Sequence, residues 1–462
     1  MRTAFRAATR RLCALAMVGT VVLAGACKEV NVPNLNSPNI DQLLTAPKAS
    51  VVNTTVLGLL VGARGVIGTY ASQLGVFGRE SYNLDQAEAR FVLSWLAQPL
   101  TPGGFGTDLG WSATYQQVLG AQTILDIVDK VPDYSAQQKE AVKGFTKTFM
   151  AMALMDQLRV RDTFGIVLDV DPTAKQLGPF VTRDEGFTRV GQLLDEAKVH
   201  LGNGGTAFPF TVHAGFTGFN TPATFLRFNR AMKARNEVYR ARWADALTAI
   251  NESFINTAAP TATTLAAGAY HVFSASAGDA TNPLFDPAPR ALVAHPSILT
   301  DAQLRTNGQP DLRTSKVTTG ATLSNQGITS NLRFTLYPTN VSNIPIIKNE
   351  ELILMRAEAY YGLGNRVAAI QDLNIVRTVS GGLAPLPDTY AGDLVTEILY
   401  NRRYSLLFEY GHRWHDMRRY GRLGDLPRAL PSHLIYPIVP LPADECNQRT
   451  PQPKGCVQVN GI

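Results

Sequence analysis

The sequence lacks the signatures that announce a reaction. There is no G-x-S-x-G elbow, no Walker loop and no dinucleotide fingerprint. No run of lysine and arginine with interleaved aromatics occurs, so nothing points to nucleic acid as a partner. Cysteine is scarce, at four in 462 residues, which leaves no room for a cysteine-rich metal or disulfide scaffold. No linker divides the chain. The leading apolar run, Ala14 to Ala26, is too short to cross a bilayer as a mature helix.

What that run does fit is an export signal. Arg2, Arg6, Arg10 and Arg11 form a basic region ahead of it, so residues 1–26 read as a secretory leader. The run ends Leu23-Ala24-Gly25-Ala26-Cys27, which is similar to a bacterial lipoprotein cleavage box, and Cys27 is therefore expected to carry lipid. Ala24 stands where such a box usually has leucine. Residues 27–39, with Pro33 and Pro38, read as a tether, and residues 40–462 as one domain. Most of the formal charge of +6 belongs to the leader's arginines and leaves with them. Cys13 leaves too. Cys446 and Cys456 remain, joined by a loop containing proline and glycine, and in an exported protein they are expected to form a disulfide.

Helical periodicity dominates the rest, and the reading is of a mainly all-α protein. Leu352, Met355 and Ala359 make an apolar stripe that Gly362 and Gly364 end; Val367, Ile370 and Leu373 open a second helix facing back. This is a helical hairpin of tetratricopeptide type, with alanines at 357, 359, 368 and 369 to let the axes approach. Met232, Ala234, Ala246, Leu247, Ile250 and Asn251 repeat the pattern at one constant offset. Helices are also expected over Trp111–Lys130, Gln138–Val160 and Leu394–Tyr410. On the last, Arg402 and Glu409 are two turns apart on one face, and a buried structural ion network including that pair is expected. Two segments differ in character. Residues 69–110 and 256–340 are rich in Gly, Thr, Ser, Asn and Pro, and read as long loops with short strands inserted into the scaffold.

The segment from Pro345 to Arg419 resembles the C-terminal signature of the SusD/RagB family of outer-membrane nutrient-binding lipoproteins. The resemblance rests on Pro345, Ile346, Glu351, Leu354, Ala357, Glu358, Ala359, Asn374 and Arg377. It continues through Arg402, Arg403, Phe408, Glu409, Arg413, Trp414, Asp416 and Arg419. Asn401 and Ser405 replace acids that flank the arginine pair in the family. The resemblance implies a surface-exposed, lipid-anchored protein of the outer membrane. Such a protein captures an oligosaccharide or peptide and delivers it to a TonB-dependent transporter of SusC type. It implies no enzyme activity, cofactor or metal, with Arg402, Arg403, Glu409, Arg413, Trp414 and Asp416 as structural residues.

Binding is expected on the loops, because a rigid scaffold carrying variable loops is a common way to build a site. Aromatic rings there offer flat apolar platforms to a sugar face or a peptide side chain. Tyr70, Phe77, Tyr82, Trp95 and Phe105 form one candidate group, and Phe216 and Phe219 a second. His412, His415 and Asp416 have metal-ligand spacing but sit among Arg413, Arg418 and Arg419, which would repel a cation. Two rivals stay open: an exported enzyme that degrades glycan or peptide, which two carboxylates in one cleft would favour, and a periplasmic tetratricopeptide scaffold that binds only proteins.

Overall fold

Ser135, Thr182 and Thr221 each start a helix by the same device. The side-chain oxygen accepts the backbone N–H three residues on, while Gln138, Glu185 or Thr224 bonds back to the capping residue. The computed structural model describes residues 46–171, 177–287 and 291–462; the expected leader (1–26), Cys27 and the tether (27–39) lie outside the described residues. The main helices are α1 (Ala49–Gly65), α2 (Trp111–Ile127), α3 (Ala136–Arg161), α4 (Arg183–Gly202) and α5 (Pro222–Tyr239). They continue as α6 (Trp243–Asn251), α7 (Asn349–Gly362), α8 (Arg366–Val379), α9 (Leu394–Ser405) and α10 (His412–Arg419).

From α1 to α10 each helix packs on its successor, so the scaffold is a relay of nearest neighbours, as in helical repeats. The protein is mainly helical, with few and short strands. The two repeats read from the sequence are the hairpins α5–α6 and α7–α8. They meet through α6 and α7, where Trp243 lies on Gly362; a Cβ there would stand 2.4 Å from the indole. Ala357 and Ala369 are fully buried in the cluster that α7 and α8 share, and Ala359 is fully buried as well.

Strands tie the inserted segments together. β1 (Ser81–Asn83) pairs antiparallel with β3 (Leu292–Ala294), Tyr82 facing Val293 in register. β2 (Gly268–His271) pairs with β6 (Ile344–Lys348), and β4 (Val317–Asn325) forms a hairpin with β5 (Ile328–Phe334). The β1–β3 ladder makes the two insertions one unit. The segment 69–110 is not a loop at its start. Ile67 to Phe77 is helical, and Tyr70, Ala71, Leu74, Val76 and Phe77 are buried. Gly68, Gly75 and Gly78 give this stretch the composition of a loop, whereas its apolar residues keep helical spacing.

The helix expected to run to Tyr410 stops at Ser405. Phe408 (φ 56°) and Gly411 (φ 65°) take left-handed conformations that turn the chain into α10. Arg402 and Glu409 therefore do not pair as expected. Arg402 Nε donates to Asp416 at 2.6 Å, and Glu409 instead accepts from Lys348. Arg419 donates to the other Asp416 oxygen at 2.8 Å and to Glu358 at 2.6 Å. Three helices, α7, α9 and α10, are thus joined through two carboxylates that are almost wholly buried. Burial alone would raise Asp416, but Arg402 and Arg419 overcome it and hold the carboxyl below its usual range.

The missing acids are also accounted for. Asn401 Oδ1 and Ser405 Oγ accept from Arg313, which is paired with Asp311, while Ser405 donates to Glu350. Arg403 finds Asp301 at 2.8 Å and Ser297 at 2.6 Å. Arg413 is pushed down to about 9 by burial and by the neighbouring Arg403. Trp414 is fully buried and donates to the Tyr436 carbonyl at 2.7 Å.

Asp416→Asn should cost about 3–5 kcal/mol, since it strands two buried guanidiniums. Because the native carboxyl is held below its unfolded value, its contribution is complete above the ordinary carboxylate range and is lost as pH falls through the native pKa. Denaturant titrations of both proteins at neutral and acid pH should show the gap closing in acid; a constant gap would remove Asp416 from this role.

Candidate binding cleft

The long helix α3 positions the inserted segments. Gln157 Nε2 donates to Tyr70 Oη at 2.8 Å, to Thr114 Oγ1 at 3.1 Å and to the Leu109 carbonyl at 3.3 Å. One turn on, the fully buried Arg161 donates to the carbonyls of Thr107 (3.0 Å), Asp108 and Pro440. The glycine-rich stretch 101–110 is thereby fixed over the helical turn at Tyr70.

Two π-helical turns follow from this arrangement, Tyr70–Leu74 and Leu93–Ala97. Such turns are rare and recur at functional sites. The first carries Gln73 and the second Trp95, and both residues line one cleft of about 480 Å³. Gly106 (φ 77°) covers them; a Cβ at this position would lie 2.8 Å from both Gln73 Oε1 and Trp95 Nε1. The opposite wall is the strap at Pro283 and Asp286, which reaches α1's extension because Gly68 has no side chain: a Cβ there would meet Pro283 at 2.6 Å. Thr69, Ser72, Asn83 and Asp85 supply polar groups between the walls. Gln73 is fully buried, and neither atom of its amide has a hydrogen-bond partner. The Asp286 carboxylate accepts the backbone N–H groups of Ala291 and Leu292, and Asp85 accepts that of Ala87.

The cleft is bounded by both inserted segments, as the loop reading expected, but most of the rings proposed as platforms are core. Tyr70, Phe77, Tyr82 and Trp95 are each at most 5 % exposed. Tyr70 is tied to Gln157, Phe77 packs edge-on to Trp414 at 5.8 Å, and Tyr82 lies 4.9 Å from the His295 ring. Phe216 and Phe219 are buried in a separate cluster with Phe228 under α5, away from the cleft. The exposed-platform reading is corrected for these six, because each ring is packed into the core, with Trp95 alone of them also lining the cleft. Phe105 is half-buried and stacks on Trp95 at 5.7 Å, with Phe91 edge-on to both. Phe91, half-buried and lining the cleft, was missed. So were Thr69, Ser72, Gln73 and Asp286, which no motif marks; the glycines that shape the walls were the available signal.

Other ionisable groups are engaged within the scaffold. Glu351 is paired with Arg235 at 2.7 Å, and Glu350 with Ser405. His412 and His415 are buried, and desolvation, reinforced by Arg159 and other cations, pushes both well below the ordinary histidine range. The Cys446–Cys456 disulfide is formed. It closes a segment beside a second cleft of about 370 Å³ at Trp111 and Tyr115. There the polar groups engage one another: Glu445 accepts from Trp111 and Arg449, and Arg449 also donates to the Gly178 carbonyl.

Residues 316–458 match the model of the SusD family. No curated protein matches the sequence. Among solved structures, the chain is similar to a SusD superfamily protein from Bacteroides vulgatus, at 14 % identity over 87 % of this chain and 98 % of that one, with a TM-score of 0.65. It is similar to B. fragilis NanU at 13 % identity, covering 92 % and 99 %, with a TM-score of 0.64. A laminarin-binding SusD-like protein is 16 % identical, covering 90 % and 100 %, with a TM-score of 0.60.

Trp95→Ala should lower stability by about 3 kcal/mol, because it empties space enclosed by Phe91, Phe105 and Gly106. A denaturation curve like that of the native protein would return the ring to the surface.

Proposed function

From the match of its segment 316–458 to the SusD family model and the fold it shares with SusD-like structures, we propose that the chain captures an oligosaccharide in the cleft between Gln73, Trp95 and the Pro283–Asp286 strap. The observation that carries this reading is the convergence of two π turns and both inserted segments on one cleft lined by polar side chains, Phe91 and Trp95. Hydroxyl-bearing and amide side chains can bond sugar hydroxyls, and Phe91 supplies an apolar edge for a ring face. That one similar structure is described as laminarin-binding supports a glycan over a peptide.

The finer reading follows the family. The protein is anchored through a lipid at Cys27 to the outer membrane and faces outward. It acts without catalysis and passes its ligand to a TonB-dependent transporter of SusC type, which the helical relay contacts while the inserted segments face the ligand.

One observation favours a second reading, hydrolysis: Asp85 and Asp286 both line the cleft. Both serve their own loops, through the N–H groups of Ala87, Ala291 and Leu292. A bound oligosaccharide should therefore be recovered intact after prolonged incubation, and shortened products would establish an enzyme.

Thr69 is exposed and lines the cleft, so Thr69→Trp fills it from a position where the core is not disturbed. Calorimetric titration should show affinity for a glucan oligosaccharide falling about tenfold or more, with an unchanged melting temperature. Normal binding by this variant would place the ligand elsewhere. For the anchor, Cys27→Ala should abolish incorporation of a fatty-acid analogue and release the protein from membranes; continued membrane retention would rule out this attachment.

A further inference from the structure

The cleft wall at Asn83 and Asp85 is held by a residue that does not line it. After β1 the chain folds into a compact turn. The Asp85 N–H donates to Asn83 Oδ1 at 3.2 Å, and the Asp85 carboxylate accepts the Ala87 N–H at 2.9 Å. Its carbonyl accepts the Glu88 N–H at 3.2 Å. Local bonds of this kind shape a turn but leave its orientation to contacts from elsewhere. Orientation matters here, because the Glu88 carbonyl accepts the Phe91 N–H at 3.3 Å and the chain runs on to Trp95; both rings line the cleft. Among the described residues the β1–β3 pairing ends at Leu84, whose N–H donates to the Ala291 carbonyl at 2.8 Å.

The orienting contact comes from the other insertion. Asn325 Nδ2 donates to the Asp85 carbonyl at 2.6 Å and fills its second lone pair, while Gln86 Nε2 reaches the Ser324 carbonyl at 3.4 Å. The fold places Asn325 with little freedom. The β4–β5 hairpin closes through Gln326 (φ 48°) and Gly327 (φ 80°), two successive left-handed residues as a tight hairpin turn requires, so Asn325 and Ile328 face each other across the tip. Ile328 is buried in the same core cluster as Tyr82, Leu84 and Trp95. Ser330, two residues on, donates to the Ala294 carbonyl of β3 at 2.8 Å. The tip is thus pinned from beneath, and Asn325 with it. Asn325 itself is not one of the left-handed residues, so its side chain can be changed without straining the turn.

We infer that Asn325 is a positioning residue for ligand capture: from the hairpin tip of the second insertion it fixes the cleft wall that the first insertion supplies. This role rests on the glycan-capture reading and adds the residue that holds the site in its binding geometry. A wall held before the ligand arrives need not be ordered on binding, and affinity rises by the cost avoided.

Asn325→Ala removes the donor and leaves the turn's own bonds in place. Calorimetric affinity for a glucan oligosaccharide should fall about fivefold, with the melting temperature of the native protein. Thr329→Ala, at an exposed position beside Ile328 on the same tip, should bind as the native protein does. Hydrogen exchange gives a readout that a loss of global stability would not reproduce. In free Asn325→Ala the Ala87 and Glu88 amides should exchange faster than in the native protein while α3 is unchanged, and saturating oligosaccharide should restore their protection. Unchanged affinity in Asn325→Ala would overturn the positioning role and leave glycan capture standing. So would an affinity loss accompanied by a lower melting temperature and faster exchange in α3. A native protein that does not bind the oligosaccharide, or a Thr69→Trp variant that binds it undiminished, would overturn both.

Discussion

The Asp416 carboxylate, held between Arg402 and Arg419, is the contact on which the most distant parts of the chain depend. Arg402 belongs to α9, Asp416 and Arg419 to α10, and Glu358, which completes the set, to α7. A charge so far from water is tolerated only where its partners are fixed, so the network specifies one arrangement of three helices more than it adds net stability. The turn between α9 and α10 places Trp414 against Phe77 and Tyr436, at the centre of the core that supports the inserted segments. Helix register at the C-terminal end thus sets the floor beneath the cleft.

A helical relay is stiff but cannot by itself enclose a ligand, because each hairpin meets only its neighbours. Enclosure comes from segments that leave the relay and are tied back to it. Gln157 and Arg161 do the tying on one side, through carbonyls that loop backbone would otherwise leave unpaired. On the other side the β1–β3 ladder joins the two insertions directly. The cleft therefore lies between two pieces of chain some 200 residues apart in sequence, each held by a different part of the scaffold.

Much of the scaffold was legible because helical periodicity and small-residue packing are local. The hairpins α5–α6 and α7–α8 could be read from Met232, Met355 and their alanines, and the C-terminal motif carried the resemblance that the match over residues 316–458 bears out. Pairing within that motif was not legible. Arg402 and Glu409 share a face only if the helix continues, and the left-handed turn at Phe408, a residue with no special tolerance for it, is set by tertiary packing on Phe334 at 4.0 Å. Asn401 and Ser405 looked like missing acceptors, whereas they serve Arg313, a partner from the inserted segment 256–340.

The cleft was legible by location and not by residue. A segment rich in glycine with scattered rings suggests exposed rings on a flexible loop. Here the glycines have the opposite effect: Gly68 and Gly106 let backbone and side chains approach so closely that the rings are enclosed. Once Tyr70, Phe77, Tyr82 and Trp95 are committed to the core, the surface they support is made of backbone, hydroxyls, amides and two carboxylates. Such a surface presents hydrogen-bonding groups to the cleft, with Phe91 and Phe105 packed edge to face beside them.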